Sequence, residues 1–208
     1  MKEYTTYKLR LKPAILEEAQ KCFAQSGIRA VKMDDIAKHL GISKRTVYEL
    51  YATKEDLVCE VVAKWHAERD KRIQSVVASC ASTMDVLIEV LNMQLEIAAN
   101  INFSFFQDIY KYPKVANAIN EYGERQNAYA AQFFAQGVKE GFFREEVNYA
   151  VFNRIVSGTM EMLCADNRFD DLTYKELFFG YLYVMIRGFC TSKGMEKIDK
   201  FADTHFSD

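Results

Sequence analysis

Residues 33–57, MDDIAKHLGISKRTVYELYATKEDL, constrain the fold more than any other part of this 208-residue chain. Two short helices that cross over a tight turn need particular residues at fixed places. A small residue has to stand where the helices nearly touch, and Ala37 does. A residue at ease in left-handed backbone has to make the turn, and Gly41 follows four positions later. Ile36, Leu40, Ile42, Val47 and Leu50 supply the apolar filling between the helices. The stretch therefore reads as a helix-turn-helix over 34–51. Its first helix covers 34–40 and stops at Gly41; its second covers 44–51 with Ser43 as N-cap.

Helical spacing continues on both sides. Upstream, Ile15, Leu16, Ala19, Cys22 and Phe23 fall on one face of a helix over 11–25, with Pro13 in its first turn and Gly27 at its end. Downstream, Thr53 caps a long fourth helix that opens with Glu55 and Asp56 and runs to about Cys80. Further helices are expected at 83–100, 102–111, 114–140, 146–165 and 174–193, and residues 195–206 form either a last short helix or a frayed tail. With 9 Gly, 2 Pro and no sustained alternation of apolar and polar residues, the expected class is all-α: a three-helix head and a larger helical bundle. No Gly/Ser linker intervenes, so a head at 8–56 should join a body at 57–208 through the fourth helix.

The formal net charge is −2, which makes the whole chain no general trap for nucleic acid. Residues 1–60 hold 11 Lys and Arg against 9 Asp and Glu, and the remainder 16 against 20. The asymmetry points toward an N-terminal DNA module and is small. The second helix of such a unit lies in the major groove with its N-terminal residues nearest the bases. Here that end is Ser43-Lys44-Arg45-Thr46-Val47-Tyr48. The free N–H groups beside Ser43 favour a phosphate. Arg45 carries a fork that fits a guanine edge, and Lys44, Thr46 and Tyr48 offer donors to phosphate oxygens. Two cations at a helix N-terminus oppose the helix dipole, which suggests a negatively charged partner.

These residues resemble the TetR family of bacterial regulators. The likeness covers roughly 9–57 and is carried by ILEEA at 15–19, Phe23, Gly27, MDDIA at 33–37, GISKRTVY at 41–48 and TKEDL at 53–57. It implies a DNA-binding head, a helical body that takes a small-molecule effector, a two-fold dimer, and a DNA-backbone contact at Lys54. Two positions depart from the family's habit. Glu49 follows the aromatic at 48, and it either turns away from the phosphates or reads a cytosine amine. Lys32 stands where a Thr cap is common; it cannot accept a hydrogen bond but can meet a phosphate.

In the body, Arg187 is the only charged residue from Leu177 to Phe189. A helix apolar all round is buried on both sides, so the helices near 146–165 and 174–193 are the expected homodimer interface; the alternative is a central helix of a monomer. Trp65, His66, Met93, Phe103, Phe106, Tyr110, Tyr129 and Phe133 either line an apolar effector pocket or build ordinary core. No catalytic motif, cofactor signature or clustered metal-ligand spacing is present, so no enzyme activity, cofactor or metal is expected. The five cysteines, at 22, 59, 80, 164 and 190, read as reduced thiols. The N-terminal MKEYTTYKLR lacks the apolar stretch of a signal peptide, and the run 177–186 is too short to span a bilayer. The expected protein is cytoplasmic, without membrane contact, and binds a double-stranded operator. It is a repressor released by a small, largely apolar effector, or else a DNA-binding regulator governed by a protein partner.

Overall fold

The computed structural model describes residues 6–165, 172–173, 176 and 178–206. Among these there is no strand. The helices are α1 (Thr6–Ser26), α2 (Met33–His39), α3 (Lys44–Leu50), α4 (Lys54–Ser79), α5 (Thr83–Asn100), α6 (Phe103–Ile109), α7 (Pro113–Lys139) and α8 (Tyr149–Ala165). A π-helical turn (Phe178–Tyr183), α9 (Val184–Phe189) and α10 (Ser192–Phe206) complete the order. The chain forms two compact units. The first comprises the described residues up to Arg69 with Asn100–Asn120, and the second comprises Asp70–Ala99 with the described residues from Glu121 onward.

In the first unit, Ile15, Ala19 and Phe23 recur every fourth residue on α1 and are fully buried. They share one core with Ile36 and Ala37 of α2, Val47 of α3 and Leu57, Val58 and Val61 of α4. Each such aliphatic or aromatic side chain contributes about 1.5–3 kcal/mol by leaving water. Phe105, Ile109 and Val115 belong to the same core, so this unit is larger than the expected head at 8–56. Gly27 ends α1 with φ +77°, and its N–H donates to Phe23 O at 2.9 Å. Beyond it, Asn102 N–H donates to Ala24 O at 2.8 Å, and Arg29 N–H donates to the buried carboxylate of Asp108 at 2.7 Å. These two bonds tie α6 to the exit of α1.

The second unit packs Met84 and Leu91 of α5, Phe134 of α7, Ile186 and Phe189 of α9 and Ile198 of α10 around Phe143. Its centre is aromatic: Phe134 and Tyr149 stack at 4.4 Å, and Phe143 meets Phe189 edge-on at 5.1 Å. Arg187 grips Asp199 through two bonds of 2.8 and 3.0 Å, and Tyr183 Oη donates to the same carboxylate at 2.9 Å. The paired guanidinium holds the Asp199 carboxyl below its ordinary range.

Three details of the sequence reading need correction. First, α1 starts at Thr6, so Pro13 lies well inside the helix, with its ring exposed, and not in the first turn. Second, the helix expected at 174–193 is not one α-helix in its described part. It is π-helical over Phe178–Tyr183, and α9 ends at Phe189 because Cys190 turns extended to pair with Phe143. That stop is made by tertiary hydrogen bonds, Arg144 N–H to Phe189 O and Thr191 N–H to Phe142 O, both 2.9 Å, which no local residue pattern announces. Third, within one chain this segment is not buried all round: Val184, Arg187 and Gly188 are exposed, left open by a single chain on the side expected to meet a partner subunit. The last segment is a helix, α10, and not a frayed tail.

Gly41 takes φ +64°, and a Cβ placed there would meet no atom within 4 Å. The whole penalty of a side chain at this turn is therefore backbone strain. Gly41→Val should lower the stability of the first unit by about 1–3 kcal/mol. Gly41→Asn should cost clearly less, because Asn tolerates this region. Thermal unfolding of the two variants beside the parent checks this, and equal losses would place the strain elsewhere.

Candidate nucleic-acid interface

The candidate recognition helix α3 is short and takes its start from Ser43, whose hydroxyl accepts Thr46 N–H at 3.1 Å and lies 2.8 Å from the Thr46 hydroxyl. Val47 is its one fully buried side chain and anchors it to the core. With one face so fixed, Lys44, Arg45, Thr46 and Tyr48 are left toward solvent. Arg45 is the most open of them, with 87% of its side chain exposed, and its Nε donates to Glu49 Oε1 at 3.0 Å. Lys44 Nζ donates to Asp34 Oδ2 at 2.8 Å and stands 5.7 Å from the centre of the Tyr48 ring; the bond to Asp34 raises its ammonium pKa. Ion pairs this exposed are screened by solvent and contribute little, so a phosphate or base edge can displace the acid at little cost.

Lys32 caps α2 without its side chain: an ammonium has no lone pair to accept the N–H groups above it. The reciprocal half of the cap does form, with Lys32 N–H donating to Asp35 Oδ2 at 2.8 Å. Thr53 and Asp56 close a complete box at the start of α4, two bonds of 3.1 Å each. Lys54 differs from the other cations. It is half-buried, its amine lies 6.0 Å from the centre of the Phe23 ring, and desolvation pushes its pKa down.

The eight aromatic, Met and His positions named for a pocket divide between the units. Trp65, His66, Phe103, Phe106 and Tyr110 belong to the first, where Trp65 sits 4.7 Å from Phe105 and 6.4 Å from Phe106. Met93, Tyr129 and Phe133 belong to the second. There Met93 is buried, Phe133 packs on Phe134 and Phe143 at 5.5 and 5.7 Å, and Tyr129 is exposed. An open groove of about 560 Å³ in the second unit, bordered by Val138, Phe143, Arg144 and Met195, includes none of the eight.

One cluster escaped the sequence reading, which found no metal-ligand spacing. Glu18, Cys22 and His39 meet where α1 packs on the end of α2, although His39 stands 17 residues beyond Cys22. The bond to His39 holds the Glu18 carboxyl below its ordinary range, and burial together with the bond to Glu18 pushes the Cys22 thiol up to about 11. The only local hint was the one-turn spacing of Glu18 and Cys22. No described helix is long and apolar enough to cross a membrane.

Residues 15–61 match the model of the bacterial regulatory proteins of the tetR family. The chain is 25% identical over 151 residues to the HTH-type transcriptional repressor KstR2 of Mycobacterium tuberculosis, covering 70% of this chain and 75% of that one. The solved structure of the ketosteroid transcriptional regulator KstR2 superimposes with a TM-score of 0.57 at 22% identity, over 91% of this chain and 98% of that one. CprB of Streptomyces coelicolor, a TetR family protein solved with its biological operator sequence, gives 0.67 at 14% identity over 97% and 99%. The helix-turn-helix built around Ala37, Gly41 and Val47 lies within the segment that matches the tetR family model, and the chain as a whole is similar in sequence and all-α architecture to TetR-family transcriptional regulators.

Proposed function

We propose that the chain is a cytoplasmic repressor that binds a palindromic operator as a homodimer and leaves it when a small, largely apolar effector binds. The observation that carries this reading is the open cationic end of α3, presented by a buried frame. In this reading residues 8–56 are the DNA-binding domain, and residues 57–208 bind effector and dimerise. Arg45 reads a base, Ser43, Lys44, Thr46 and Tyr48 hold phosphates beside it, and Lys32 and Lys54 meet the backbone from the starts of α2 and α4. Two heads on one turn of B-DNA, about 34–36 Å apart, engage both half-sites at once.

The dimer reading rests on apolar surface left open in the second unit. Val151, Ile155 and Met162 are spaced to share one face of α8, and each is about half exposed; Val184 of α9 is 60% exposed. A second copy of this chain is the occupant that the family architecture suggests. The apolar nature of the effector is supported by the Trp65–Phe105–Phe106 cluster and by the ketosteroid named for KstR2.

Three measurements test the reading. Arg45→Ala should relax preference at one base pair by about 1–3 kcal/mol. Lys54→Met, which keeps the packed stem, should weaken all sequences alike and lower the salt slope by about 1. Equal losses on operator and random duplex for both variants would overturn the division into reader and anchor. Val184→Asp or Ile155→Asp should sediment as a folded monomer with weakened operator affinity. A parent protein that is itself monomeric, or two variants that stay dimeric, would remove the interface. Trp65 is the only tryptophan. An effector entering beside it should shift the emission and release operator DNA at the same concentration, and a ligand that releases DNA with the emission unchanged would place the pocket elsewhere.

A further inference from the structure

Glu18 and Cys22 stand one turn apart on α1, and His39 is the last residue of α2. Their ligand atoms make a small triangle. Cys22 Sγ lies 3.4 Å from Glu18 Oε1 and 3.5 Å from His39 Nδ1, and the latter two are 2.8 Å apart. Around one tetrahedral Zn²⁺, a thiolate lies about 3.6 Å from a nitrogen or oxygen ligand, and a nitrogen lies about 3.3 Å from an oxygen. The two sulfur edges are already close to that length. The third must widen by about 0.5 Å, as it does when a hydrogen bond gives way to two bonds to a metal.

We propose that Glu18, Cys22 and His39 form a three-ligand site for a thiophilic divalent cation, with Zn²⁺ the best match, inside the DNA-binding head. A thiolate beside an imidazole selects such ions over Mg²⁺ or Ca²⁺, which take oxygen ligands. The ligands differ usefully in exposure. Cys22 is buried, while 53% of the His39 side chain is open, so water has access to a fourth coordination position. Binding breaks the Cys22 S–H bond, forms a sulfur–metal bond and sends one proton to solvent; the His39 ring proton moves from Nδ1 to Nε2 so that Nδ1 can ligate, with no change of oxidation state. The bound ion would brace α1 against the end of α2, two residues before the Gly41 turn on which α3 is mounted. It would thus stabilise the geometry that presents Arg45.

The test uses the full chain, without DNA, titrated with Co²⁺ as a spectroscopic probe. The parent should take up one Co²⁺ per chain at this site, with thiolate-to-cobalt charge transfer and the strong visible bands of tetrahedral coordination, and Zn²⁺ should displace it. Cys22→Ser should abolish the charge-transfer absorption. His39→Asn, at an exposed position, should keep the helical circular dichroism of the parent and weaken Co²⁺ affinity by more than about tenfold. The site is overturned if the parent binds no stoichiometric Co²⁺, or if charge transfer persists in Cys22→Ser, which would put the ion on another thiol such as Cys59. It is equally overturned if His39→Asn binds as tightly as the parent, and that variant decides the matter should Cys22→Ser fail to fold.

Discussion

The buried stripe of Ile15, Ala19 and Phe23 on α1 is what the proposed reading surface rests on. α2 and α3 have seven residues each, well below the length at which an isolated helix holds together in water. They persist because Ile36, Ala37 and Val47 find this stripe, with Leu57, Val58 and Val61 closing the core from α4. A shift of α1 would therefore move every cation proposed to touch DNA, although α1 itself carries none of them.

The same core draws in α6. Asp108 is the only buried carboxylate among the described residues, and it spends an oxygen on the N–H of Arg29. A buried charge is tolerable only when it is paired or hydrogen-bonded; Lys111 lies 3.6 Å away, and the field of Asp108 opposes the depression of the half-buried Lys54 amine. One carboxylate thus speaks to the α1–α2 loop and to the first turn of α4. The first compact unit gathers Asn100–Asn120 with the helix-turn-helix because these bonds, and the side chains of Phe105 and Ile109, are shared.

How much could be read in advance depends on the range of the forces involved. The helix-turn-helix was legible because its turn demands left-handed backbone at Gly41, its caps are local, and its apolar positions repeat within one or two turns. The end of α9 was not legible, since hydrogen bonds from residues 142 and 144 stop it. Neither was the pairing of Glu18 and Cys22 with His39, which depends on how two helices cross. The partners of the reading cations fall between these cases. Arg45–Glu49 has the i,i+4 spacing that any helix allows, whereas Lys44–Asp34 needs the turn to be folded first.

Those partners bear on how specificity would be reached with so little charge in the proposed DNA-binding mode. Residues 1–60 carry only two more cations than acids. Arg45 and Lys44 each face a carboxylate before DNA arrives. Any duplex must displace those acids, but a random one returns only phosphate contacts, whose value falls as salt rises. In the proposed mode a matched half-site would add a bidentate base contact worth about 1–3 kcal/mol, which a solvent-screened ion pair opposes only weakly. The displacement cost is common to both duplexes, so pre-paired cations would lower both affinities alike and leave the base contact to separate matched from random DNA. In the proposed dimer, linking two such heads would raise affinity through effective concentration instead of additional charge.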